Sequence, residues 1–126
     1  MDKEIKYIYL AHPFTDNYEY NIKRVTAIAN AIVKHSIDNP DCFFAPIVPH
    51  LILSVFNEEK DNSVRSYTEE ISKNLVLFCD ELWLVSDIIS KGMQLEIQSA
   101  QENTIPIRKW SEIKLIVPIL CQFDNI

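Results

Sequence analysis

The chain has 126 residues, 48% of them hydrophobic, enough for one domain with a sizeable core. Lysine and arginine number 12 against 18 aspartates and glutamates, and the net charge of -6 excludes the basic footprint that duplex DNA or long RNA requires. A small anionic ligand is not excluded, because a few local donors hold one phosphate.

Ile5 to Ala11 is short, β-branched and aromatic, and reads as a buried strand ended by His12-Pro13. Thr15-Asp16-Asn17 supply helix-start candidates. Val25, Ile28, Ala29, Ile32 and Val33 then recur at helical spacing, which predicts an amphipathic helix over Tyr18 to His35. Cys42 to Ile47 is a second strand, broken by Pro46, and Val48-Pro49-His50 and Leu51 to Phe56 follow it. Asn57 to Ser63, with its charged run Glu58-Glu59-Lys60-Asp61, reads as a solvated loop. Ser66-Tyr67-Thr68-Glu69 has capping-box spacing, and Ile71, Leu75, Val76 and Phe78 give the helix behind it an apolar face. Glu81 to Val85 is apolar on both faces and predicts a central strand. Ser90 to Asn103 is a third helix with a Met93-Ile97-Ala100 stripe, and Ile105-Pro106-Ile107 a short fourth strand. Between Trp110 and Phe123, Ile113, Leu115 and Val117 alternate, so a fifth strand and a docking tail both fit.

Strand and helix alternate throughout. The expected fold is an α/β three-layer sandwich with a mostly parallel sheet of four or five strands, flavodoxin- or Rossmann-like, as one domain over 1–126. Ligands of such sheets bind at the carboxyl ends of the strands, here His12 to Asp16, Ile47 to His50 and Ser86 to Gly92. Cys42, Cys79 and Cys121 are odd in number and lack metal-type spacing, so they read as reduced thiols, with Cys79 in the core. The opening Met1-Asp2-Lys3-Glu4 carries no signal-type run, and Leu115 to Cys121 is cut by Pro118 and too short to span a bilayer. A cytoplasmic protein without membrane contact, metal or organic cofactor is expected.

The segment Ser86 to Glu96 follows the central strand and opens a helix. Gly92 is the chain's single glycine, used either for close approach of a ligand or for tight helix packing. Ser90 is placed to cap the helix, or to face a phosphate beside the free first-turn amides. Glu96 has no basic partner at i±4, since Gly92 and Ala100 stand there, and it borders the apolar stripe. A carboxylate so placed is either a solvated surface residue or a nucleophile for a sugar carbon. His12 and His50 lie at strand ends and read first as locally hydrogen-bonded. Asp87 holds a ribose hydroxyl or caps a turn; Arg65 reaches a phosphate or, as the first reading, is a charge at an exposed helix start; Trp83 reads first as core and otherwise as an aromatic that stacks on a base.

Asp80-Glu81-Leu82-Trp83-Leu84-Val85, then Ser90-Lys91-Gly92-Met93-Gln94-Leu95-Glu96-Ile97 and Thr104-Ile105-Pro106-Ile107, resembles the nucleoside 2-deoxyribosyltransferase-like superfamily, nearest its small uncharacterised bacterial and phage members. Tyr7 to Phe14, Asn21 to Arg24, Ala45-Pro46 and Pro49-His50-Leu51 extend the similarity over roughly 5 to 110. The resemblance implies that Glu96 attacks the anomeric carbon and forms a glycosyl-enzyme intermediate. It places Ser90 where a 5′-phosphate is held and Tyr9 beside the sugar, with His12, Phe14, Asp87, Gly92 and Met93 completing a substrate-binding set. It also implies a homo-oligomer with a shared site and a nucleoside or nucleotide, not a nucleic acid polymer, as partner. Catalytic relatives carry an aspartate near the position of Ser72; Glu69 or Glu70 is the substitute here. They also commonly carry a glycine at Ser86 and an arginine at Ile88.

The expected activity is cleavage or transfer at the N-glycosidic bond of a (deoxy)nucleoside or its 5′-monophosphate. The alternative is a non-catalytic pocket that sequesters or senses an ADP-ribose-like or cyclic nucleotide signal, as a phage anti-defence protein would. A structural module with a vestigial pocket is a third reading.

Overall fold

The computed structural model describes residues 3–14, 16–56 and 62–124. Thr15 and the Glu58-Glu59-Lys60-Asp61 run lie outside the described residues.

Four parallel strands, β1 (Glu4–Ala11), β2 (Cys42–Ile47), β3 (Glu81–Leu84) and β4 (Ile107–Arg108), form one sheet in the order β2-β1-β3-β4. The α/β sandwich expected from the alternation is the one observed. Pro46 is accommodated because β2 is an edge strand, where a missing N–H breaks no inner ladder. β4 begins two residues later than the sequence suggested. Pro106 lies outside it yet still contributes, its carbonyl accepting from the Leu82 N–H at 2.9 Å.

Side chains alternate across β1 and β3, and the alternation divides the core. Ile8, Leu10, Trp83 and Val85 face one way, toward Val25, Ile28 and Ile32 of α1 (Tyr18–Asp38). Tyr9, Ala11, Leu82 and Leu84 face the other way, toward Val76 of α3 (Arg65–Leu77) and Met93 and Ala100 of α4 (Lys91–Glu102). Between β2 and α3 lies the short α2 (Pro49–Leu53), followed by a 3₁₀ turn at Ser54–Phe56.

Three local expectations change. α3 starts at Arg65, two residues before a Ser66 cap would start it, and Val64 at its N-cap makes no side-chain cap bond, so the Ser66–Glu69 capping box does not form. Phe78 is 81% exposed because α3 ends at Leu77; the buried stripe runs through Thr68 and Val76 instead. No fifth strand forms over 110–123. That segment is α5 (Trp110–Ile116) and a 3₁₀ helix (Pro118–Phe123) docked on the α1 face. Ile113 and Val117 are buried four residues apart, while Leu115 points out, a helical rather than an alternating pattern. Arg24 ties this tail down, donating to the Val85 carbonyl at 2.7 Å and the Phe123 carbonyl at 3.1 Å beneath the Trp110 ring. Among the described residues, no helix is long and apolar enough to cross a membrane.

The helix after β1 covers one face of the sheet and the helix after β3 covers the other. The carboxyl ends of β1 and β3 therefore flank a topological switch point, where a crevice opens.

Candidate active site

Ser90 caps α4 in the way its sequence position suggested. Its Oγ accepts from the Met93 N–H at 3.2 Å, and the Met93 sulfur takes the role of the missing acid, accepting from the Ser90 N–H at 3.5 Å. The cap aims the first turn of α4 at the crevice. Gly92, exposed on that turn, has open space around it: an added Cβ would meet only Ser90 Oγ, at 4.0 Å. Helix packing therefore does not account for this glycine.

Behind the turn lies a cavity of about 150 Å³, the size that takes one ring-sized group. Glu96 is on its wall and only 8% exposed. Tyr9, fully buried beneath it, donates its phenol proton to Glu96 Oε2. Burial pushes the Glu96 carboxyl up to about 7, with the Tyr9 hydrogen bond pulling the other way. Burial first, and the neighbouring carboxylate second, hold the Tyr9 phenol well above its ordinary range. Tyr9 is thus a positioning residue under the carboxylate rather than part of the cavity lining.

Tyr9→Phe removes the one hydrogen bond that favours the charged carboxylate. The Glu96 titration, followed by carbon NMR of the side-chain carboxyl, is expected to move from about 7 to a higher pH. An unchanged midpoint would mean that the phenol does not control the carboxyl.

His12 and His50 also line the cavity, and their rings meet edge to face with centroids 5.6 Å apart. Both bond to one acceptor, the Pro13 carbonyl: His12 Nδ1 at 2.9 Å and His50 Nε2 at 2.8 Å. A carbonyl has two lone pairs, so each nitrogen facing it carries a proton. His12 Nε2 and His50 Nδ1 are left as acceptors, buried and without a hydrogen-bond partner among the described residues. Burial drives both imidazoles toward the neutral form, His12 down to about 4. Phe14 lies against His50 with centroids 4.7 Å apart and lines the same cavity.

Of the substrate-binding residues singled out in the sequence, His12, Phe14, Ser90, Gly92 and Met93 surround this cavity with Glu96. Asp87 does not; it lines a neighbouring cleft of about 550 Å³ on the α1 side. Arg65, Glu69 and Lys91 join the cavity wall, which favours the phosphate-side reading of Arg65 over a plain surface charge and adds Lys91, a residue the sequence does not single out. The available signal for Lys91 was its place at the first position of a helix whose cap faces a pocket. Ser72 is also on the cavity wall.

A family model described as a domain of unknown function (DUF7768) matches residues 6–110. The chain belongs to this family. The matched span takes in β1 from Lys6 onward, the other three strands of the DUF7768 domain, the whole cavity and the start of α5, and leaves the 3₁₀ tail outside. No curated protein and no solved structure matches the chain.

Proposed function

We propose that this DUF7768 protein cleaves or transfers the N-glycosidic bond of a nucleoside or nucleoside 5′-monophosphate in the cytoplasm, with Glu96 as nucleophile. The observation that carries this reading is the buried, phenol-bonded Glu96 on the wall of a ring-sized cavity beside a capped helix start. The resemblance to the nucleoside 2-deoxyribosyltransferase-like superfamily supports it at the same residues.

A carboxyl that titrates near 7 is half ionised at neutral pH, where it is both available and desolvated enough to attack. One Glu96 oxygen forms an ester to the anomeric carbon as the carbon–nitrogen bond breaks. The departing base takes the electron pair and is protonated by Glu69, the second carboxyl group on the cavity wall. Glu70 is otherwise engaged, pairing with Lys73 at 3.3 Å. Water then attacks the anomeric carbon, giving its proton to Glu69 and releasing Glu96; a second base in place of water gives transfer. Ser90, Lys91 and Arg65 surround the place of a 5′-phosphate.

The test is incubation with a panel of nucleosides and 5′-monophosphates, with and without a second free base, read by chromatography. Free base, or a new nucleoside, is expected. Recovery of every substrate intact would remove the catalytic reading.

Ser72, in place of the relatives' acid, favours a second reading, a pocket that holds an ADP-ribose-like or cyclic nucleotide without turnover. Under it, the same chromatography recovers intact ligand bound to the protein.

A further inference from the structure

We infer that the ligand is a phosphate-linked dinucleotide that straddles the crevice, with one nucleoside half at Glu96 and the other in the cleft beside Asp87. This rests on the glycosidic reading above and names its substrate class.

Two cavities meet at the switch point. The Glu96 cavity lies on the α3–α4 side of the sheet and measures about 150 Å³. That is below the roughly 300 Å³ at which pockets for whole drug-sized ligands begin. The second cleft, about 550 Å³, lies on the α1 side, between Tyr20 and Arg24 of α1, the loop at Ser86–Asp87, and Trp110. His12, Ser90 and Lys91 line both. The two spaces thus adjoin at these residues over the ends of β1 and β3, so a ligand with one ring against Glu96 has the larger space beside it.

The chemistry across the two spaces changes in the order a dinucleotide requires. The junction has the capped α4 start and the Lys91 ammonium, which suit the anionic linker. His12, 5% exposed, lies at the same junction, with Nε2 lacking a partner among the described residues. The far cleft offers the exposed Asp87 carboxylate at the end of β3, an acceptor for ribose hydroxyls. It also offers an aromatic wall in Tyr20.

The experiment measures binding by calorimetry to Glu96→Gln protein, which keeps the ligand intact, and to the same protein with Asp87→Ala added. The probes are NAD and diadenosine diphosphate against nicotinamide mononucleotide and AMP. At least one dinucleotide is expected to bind about tenfold more tightly than its mononucleotide, the worth of hydrogen bonds to a charged acceptor. Asp87→Ala is expected to remove that advantage and leave mononucleotide binding unchanged. Equal affinities, or an advantage that survives Asp87→Ala, overturn the inference while the glycosidic reading stands. Binding of none of the four overturns the inference, while free base released from the nucleoside panel would still uphold the glycosidic reading.

Discussion

Glu96→Gln is expected to lower turnover on the order of 10³-fold or more while ligand binding persists, because glutamine keeps the shape and loses the nucleophile. The same substitution is expected to stabilise the fold, in a pH-dependent way. Burial raises the folded-state pKa of Glu96 from 4.5 to about 7. Below pH 4.5 the group is protonated whether the chain is folded or not, and it costs nothing. Between pH 4.5 and about 7 the unfolded state ionises freely and the folded state does not, so stability falls across that window and the loss is complete above it. Glutamine cannot ionise and escapes that loss. At pH 8 the variant is expected to exceed the wild type by on the order of 2–3 kcal/mol in urea unfolding, and at pH 4 to match it. Reduced stability at pH 8 would show that the carboxylate is satisfied in the fold and not held ready.

Glu69→Gln is expected to slow base release about 100-fold at saturating substrate, the range of a lost proton donor. The loss is expected to vanish with a glycoside whose leaving group departs without protonation. A uniform loss across leaving groups would assign Glu69 to substrate binding instead, and no loss at all would leave base departure unassisted by the protein.

The sheet was legible because its strands are written in short apolar runs. Ile5 to Ala11 and Glu81 to Val85 fall within one residue of β1 and β3, since burial on both faces demands unbroken apolar sequence. The α4 start was legible for a local reason: Ser90 stands directly ahead of the Met93 stripe and caps the helix. Segments whose structure depends on what they pack against were harder. Residues 110–123 alternate over only three apolar positions, too few to separate a strand from a helix, and docking on α1 decided for helix. Ser66 looked like a cap because its spacing to Glu69 is right, but the chain had already turned helical at Arg65. In the site, Glu96, Ser90 and Gly92 sit in one helical turn or two and travel together. Glu69 and Arg65 come from α3, brought to the cavity by packing that no local pattern encodes. Asp87 lies three residues from Ser90 in the chain, yet it falls on the other side of the crevice.

Both borders of the sheet are closed to further strands. Pro46 removes a donor from β2, and β4 is only two residues long, so neither presents a ladder on which another chain could template itself. Self-association by edge-to-edge pairing is therefore blocked at both ends. A second copy has to approach through helical surface, where Leu51, Ile52 and Tyr67 stand in solvent on the elements that also supply the cavity wall.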